Sequence, residues 1–175
     1  QTGGALIVSN SVNLGNAVGT SGEYVHAGGS VWVNGILVLG NASNSVGRLI
    51  QTGGDLSFGN NASGLVIGNV SGSSGELNVS GGTLTLGGGA TVGNAANSVG
   101  RLTQTDGNFV LGSLVVGNIS GATGEVVIAG GSLTLTNRYA LFVGTYGASG
   151  RMEISGGTNV IANARIGHGS GAGGG

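Results

Sequence analysis

A glycine followed by glutamate or arginine recurs six times along this chain, at Gly22, Gly47, Gly75, Gly100, Gly124 and Gly150, at intervals of 25, 28, 25, 24 and 26 residues. Self-similarity on that scale signals a stack of equivalent units, each too small to bury a core of its own. Residues 1–21 read as a further unit without its opening strand, because Gln1-Thr2-Gly3-Gly4 matches Gln51-Thr52-Gly53-Gly54. Residues 1–175 are therefore expected to form one repeat domain of about seven coils, starting near residues 1, 22, 47, 75, 100, 124 and 150.

Within a unit the period drops to two. Between Gly75 and Val99 the segments Glu76-Leu77-Asn78-Val79, Thr83-Leu84-Thr85-Leu86 and Ala90-Thr91-Val92 alternate polar and apolar residues, with glycines at or near the corners. This is the pattern of short strands with one buried face, and no segment has a helical period. The fold expected is all-β: a parallel β-solenoid of coils of about 25 residues with three short strands each. Apolar positions recur from coil to coil, for example Leu6, Val31, Leu56, Leu84, Phe109 and Leu133 on the second side, so the coils should share one core.

In such a stack each residue lies over its counterpart about 4.8 Å away, and like side chains form ladders. Asn16, Asn41, Asn69, Asn94 and Asn118 each follow a glycine after the third segment, and their amides can donate and accept between coils. The pattern lapses at Thr145 and His168. A second ladder alternates in sign: Glu23, Arg48, Glu76, Arg101, Glu125 and Arg151. Alternation sets vertical register, since like charges would repel, although each exposed pair adds only about 0–1 kcal/mol. Gln1, Gln51 and Gln104 recur with the Arg-type coils, which implies a repeat of two coils.

The chemistry-bearing residues are few. There is no cysteine, and His26 and His168 lie in different coils, so neither a metal site nor a paired nucleophile is indicated. His26 falls between Gln1 and Gln51 in the ladder and is expected to hydrogen-bond within that polar stack. A polysaccharide-cleaving enzyme needs clustered acids; Asp55 and Asp106, at nearly equivalent places two coils apart, and Glu153 read better as solvated carboxylates. The Gly-Gly-x-Gly-x-Asp repeat of calcium-binding β-rolls does not recur here, and no cofactor is implied. Asn-x-Ser triplets at Asn41, Asn61, Asn69, Asn78 and Asn118 follow from the repeat composition. Net charge of −1 with no basic cluster argues against nucleic acid, and no apolar run is long enough for a membrane-spanning helix.

Charged residues make up only 6% of the chain, so its outer surface must be built of small polar and some apolar side chains. Strict alternation turns Val38, Val66, Val115 and Phe142 outward on the third side, a stripe expected to make lateral contacts. Trp32 and the insertion Asn137-Arg138-Tyr139 are further candidates for lateral contact. No helical or polar cap is visible at either end. Such ends are expected either to continue into a longer solenoid or to stack head to tail on another copy.

The motif Gly-Glu-Leu-Asn-Val-Ser-Gly-Gly-Thr-Leu-Thr-Leu-Gly, residues 75–87, resembles the glycine-rich repeats of bacterial autotransporter passenger domains and similar secreted surface proteins. That resemblance implies a right-handed parallel β-helix, export, and a place on or outside the cell; individual activities do not carry over. The expectation is a non-enzymatic structural subunit of an extracellular bacterial filament or surface fibre, a head-to-tail homopolymer open to lateral bundling. The alternatives are a surface adhesin for glycans or host and abiotic surfaces, and, further off, a polysaccharide-active enzyme.

Overall fold

The structure, a computed structural model, describes residues 1–59 and 63–169. Asn61, the tail from residue 170 and the side chains of Ser63 and His168 lie outside what is described. All regular structure among the described residues is β. The chain opens with β1 (Ala5–Val8) and β2 (Val12–Leu14), then β3 (Ser21–His26), β4 (Ser30–Val33) and β5 (Leu37–Leu39). Next come β6 (Val46–Gln51), β7 (Asp55–Phe58) and β8 (Ser63–Ile67), then β9 (Ser74–Leu86), β10 (Gly89–Val92), β11 (Val99–Leu111) and β12 (Leu114–Val116). The last are β13 (Thr123–Ile128), β14 (Ser132–Leu135), β15 (Leu141–Thr145), β16 (Ser149–Ile154), β17 (Thr158–Ile161) and β18 (Ala164–His168).

Every strand pairs in parallel with its counterpart about 25 residues away, as in β3 with β6 and β12 with β15. The result is a β-solenoid of about six turns. Its strands form an eleven-stranded and a seven-stranded sheet, because in β9 and β11 the first and second segments run on as single strands of 13 residues. Extended backbone carries through the corner there, with a register shift between Gln104 and Asn108 in β11.

The core is the inside of the coil. One ladder runs Leu6, Val31, Leu56, Leu84, Phe109, Leu133 and ends at Asn159. Its middle members are fully buried. Asn159 ends the row as a polar residue, donating to Gly156 O at 3.1 Å. Burial of large apolar side chains, about 1.5–3 kcal/mol each, is available only to a turn with neighbours on both sides.

The outward apolar stripe is not an exposed one. Val38 and Val66 are 2% and 7% exposed, and Val115 and Phe142 are half-buried. Alternation gives a side chain its direction but not its accessibility. Val38 stands in register between Asn13 and Val66, and the corner asparagines lie on the same face, with Asn41 Nδ2 3.3 Å from Asn13 Oδ1. Val38 and Val66 therefore cannot serve as lateral contacts as the surface stands. Trp32, Arg138 and Tyr139 are exposed.

Candidate functional site: the ladders, the corners and one groove

The asparagines form an unbroken column. Asn41 Nδ2 donates to Asn16 Oδ1 at 2.8 Å, Asn69 to Asn41 at 2.8 Å, Asn94 to Asn69 at 2.9 Å and Asn118 to Asn94 at 2.9 Å. At the next turn Thr145 Oγ1 instead donates to the carbonyls of Gly117 and Asn118, which ends the column. Four residues after the asparagines sits a set that sequence reasoning missed: Ser45, Ser73 and Ser98 are buried, and each accepts from the backbone N–H three residues before it. Ser45 also donates back to Ala42 O at 2.7 Å. The recurrence of Thr20, Ser45, Ser73 and Ser98 in the sequence was the available signal.

The charge ladder is less regular than its spacing predicts. Arg48 pairs with Glu23 at 3.3 Å and Glu76 at 3.4 Å, and Glu125 pairs with Arg101 at 3.5 Å and Arg151 at 2.8 Å. Arg101 is in register with Glu76 but forms no ion pair with it; Glu76 instead accepts from Asn78 Nδ2 at 2.7 Å. Arg151 also reaches Glu153, and this bond, more than that to Glu125, raises its pKa above the ordinary value. All these groups are substantially exposed, so they fix register more than they stabilise.

Inside the corner between the first two segments, the glutamines tie one turn to the next. Gln51 Nε2 donates to Gly54 O at 3.2 Å and Thr83 O at 3.0 Å, and Gln104 Nε2 to Gly107 O at 3.0 Å and Ser132 O at 2.9 Å. Gln1 does the same more loosely, and its Oε1 accepts from Tyr24 at 2.8 Å. His26 shares this ladder. A Cβ built on Gly54 would stand 2.6 Å from His26 Nε2, as one on Gly131 would from Gln104 Nε2 at 2.8 Å. The imidazole thus occupies the place of the amide.

The hydrogen bond expected of His26 is nevertheless absent. Neither ring nitrogen has a partner, and the buried ring lies against Tyr24 at 6.2 Å between centroids. A rigid ring cannot bend its N–H towards two carbonyls as a primary amide does. Burial lowers the His26 pKa below the ordinary histidine value, with Asp55 partly opposing. The folded state therefore holds His26 neutral more strongly than the unfolded chain does. That contribution is complete above the ordinary value, about 6.5, and is lost as pH falls through the lower folded value. We expect His26→Gln to abolish this loss, so that melting at about pH 5 and pH 8 differs less in the variant than in the parent. An equal drop in both proteins would exclude His26 as its source.

Asp55 and Asp106 are not equivalent. Asp55 and Asn108 share Thr83 as ladder partner, whereas Asp106 lies opposite Ser80 and accepts from the Gly107 N–H at 2.7 Å. No group of three His, Cys, Asp or Glu residues converges among the described residues. A groove of about 510 Å³ lies on the outer face of the third segment, lined by Val115, Asn118, Tyr139, Phe142, Thr145, Tyr146 and Arg165, and another of about 500 Å³ is lined by Leu141, Val143, Met152, Ile154 and Ile166 among others. No protein-family model, curated protein or solved structure matches the chain.

Proposed function

We propose that the chain is a structural subunit of an extracellular bacterial filament, counted as seven coils of three strands, whose end turns stack on those of further copies. One observation supports this reading: each turn pairs in parallel and in register with the next, and core, asparagine and glutamine side chains repeat rung upon rung, so that one turn is a template for another. Ile166, in the ladder of Ile67, Val92, Val116 and Val143, is 81% exposed and is a side chain at which such stacking can be probed. Edge strands with exposed apolar side chains invite another strand of the same register. Stacking would set β17 and β18 of one copy against β1 and β2 of the next, as a heterologous interface allows.

Electron cryo-microscopy of the purified protein should show fibres with an axial repeat near 4.8 Å. Ile166→Lys, at a side chain already in water in the single molecule, should leave the circular dichroism and melting of the dispersed protein unchanged and abolish the fibres. Dispersed parent protein, or fibres indifferent to the lysine, would reject end-on stacking. A surface adhesin is the second reading, supported by Trp32, half-exposed beside Ile7 on the outer face.

A further inference from the structure

The outer face of the first segment carries most of the chain's charge. Six of the eleven charged residues stand there in one column, Glu23, Arg48, Glu76, Arg101, Glu125 and Arg151. Along the axis this column divides into two halves. Arg48 bonds to Glu23 and Glu76, two glutamates about one arginine, with a net charge of −1. Arg101 and Arg151 both bond to Glu125, two arginines about one glutamate, with a net charge of +1. Glu153, beside Arg151 in the next column, moderates the positive half. Where the halves meet, Arg101 turns to Glu125 and leaves Glu76 to Arg48, and at 64% its side chain is the most exposed of the six.

Such a column is complementary to itself in one orientation. A two-fold axis that lies in the face and runs along the strands turns a second copy upside down, so that the first rung meets the sixth. Glu23 then faces Arg151, Arg48 faces Glu125 and Glu76 faces Arg101, each pair occurs twice, and the negative half lies on the positive one. A two-fold axis along the solenoid instead sets glutamate on glutamate and arginine on arginine at every rung, which is repulsive. Parallel copies escape that only by slipping one rung, and a slipped pair does not close into a symmetric dimer. The next outward column obeys the same reflection over its middle four rungs, with Ile50 opposite Val127 and Asn78 opposite Thr103. At its ends the match is poorer, Val25 against Glu153.

Size sets the strength of such a pair. Strands of six residues, as in β3, β6, β13 and β16, stacked over about six turns make a face of roughly 20 Å by 30 Å. Covering it on both copies removes roughly 1,200 Å² from water, the lower end for a specific interface, so the pair is transient and its charges choose its orientation. We propose that two copies of this chain associate through the outer face of the first segment, antiparallel, with Glu76 of each copy opposite Arg101 of the other at the two-fold axis. This lateral pairing uses a different surface from the end turns and does not rest on fibre formation.

Sedimentation of the full chain, in parent and Ile166→Lys forms, over roughly 10–300 μM protein tests it. A reversible dimer is expected, at least tenfold weaker in about 1 M salt, where the screening length is about 3 Å. Arg101→Glu and Glu76→Arg should each weaken association at least tenfold, and the two together should restore it to within about threefold, because the exchanged charges still meet as opposites across the antiparallel axis. In a pair slipped by one rung the same exchange brings like charges together and rescues nothing. A spin label at Ser21→Cys, in a chain with no other cysteine, reads the orientation without altering a charge. Five rungs, about 24 Å, separate the two labels along the axis of an antiparallel pair, against one rung or none in a parallel one. Monomers at every concentration, whatever else the face then proves to bind, would overturn the pairing. So would single variants that associate like the parent, a double variant that stays apart, or labels nearer than about 20 Å. Monomers alongside fibres that Ile166→Lys abolishes reject this pairing alone, and dimers of a parent that forms no fibres reject end-on stacking alone.

Discussion

Gly124→Ala is expected to cost the protein most of its stability, on the order of 4 kcal/mol or more, although it adds a single methyl group. Gly124, the second residue of β13, stands in a column with Gly22, Gly47, Gly75, Gly100 and Gly150. Its φ is not in the left-handed region, so conformational freedom is not the reason for glycine. A Cβ would collide with Gly117 N and Val92 O, two backbone atoms that are themselves hydrogen-bonded at 2.7 Å. The methyl would be driven into an inter-turn hydrogen bond, so overpacking and the loss of that bond add together. Neither flanking backbone can retreat without breaking its own ladder. Gly121→Ala provides the contrast: it is left-handed at φ 78° with nothing nearer than 3.6 Å, and should lose only the roughly 1–2 kcal/mol of left-handed strain. Thermal denaturation followed by circular dichroism decides, and a Gly124→Ala protein that melts within a few degrees of the parent would remove the collision argument.

Phe109→Ala should be nearly as damaging, with a loss of about 3–5 kcal/mol. The ring is buried between Leu84 and Leu133 in a ladder whose rungs are fixed by backbone pairing, so the neighbours cannot close in on the space left behind. The same ladder supplies its own control in Leu6, which is 42% exposed and should tolerate alanine at a fraction of that loss. Denaturant titration of the two variants gives the comparison; similar losses for both would mean that the middle of the stack relaxes as freely as its end.

The alternation of residues such as Leu84, Thr85 and Leu86 carried the strands and their register, because a slip of one would turn every core residue to the outside. The asparagine spacing likewise points to a column of amides. What could not be read depends on three-dimensional closeness between residues far apart in the chain. The repeated glycine before each Glu or Arg suggests a corner, but the space it preserves belongs to Gly117 and Val92 of other segments. Val38 reads as outward by parity, yet its cover comes from ladder neighbours. The place of His26 among glutamines is plain in the sequence, whereas its lack of partners is a matter of ring geometry. The left-handed turn at Tyr146, φ 48°, depends on a deletion, one residue fewer between Gly144 and Gly150 than between Gly117 and Gly124, and no residue type announces that.

The asparagine column has a sense of direction. Every amide N–H points towards the N-terminal neighbour and every carbonyl oxygen towards the C-terminal one, so the aligned dipoles add along the axis much as peptide dipoles do along a helix. The solenoid is thus an arrow at the level of side chains as well as backbone. Two copies meeting by the same end would set donor against donor or acceptor against acceptor, and growth by stacking would therefore be polar, with a leading and a trailing tip that differ chemically.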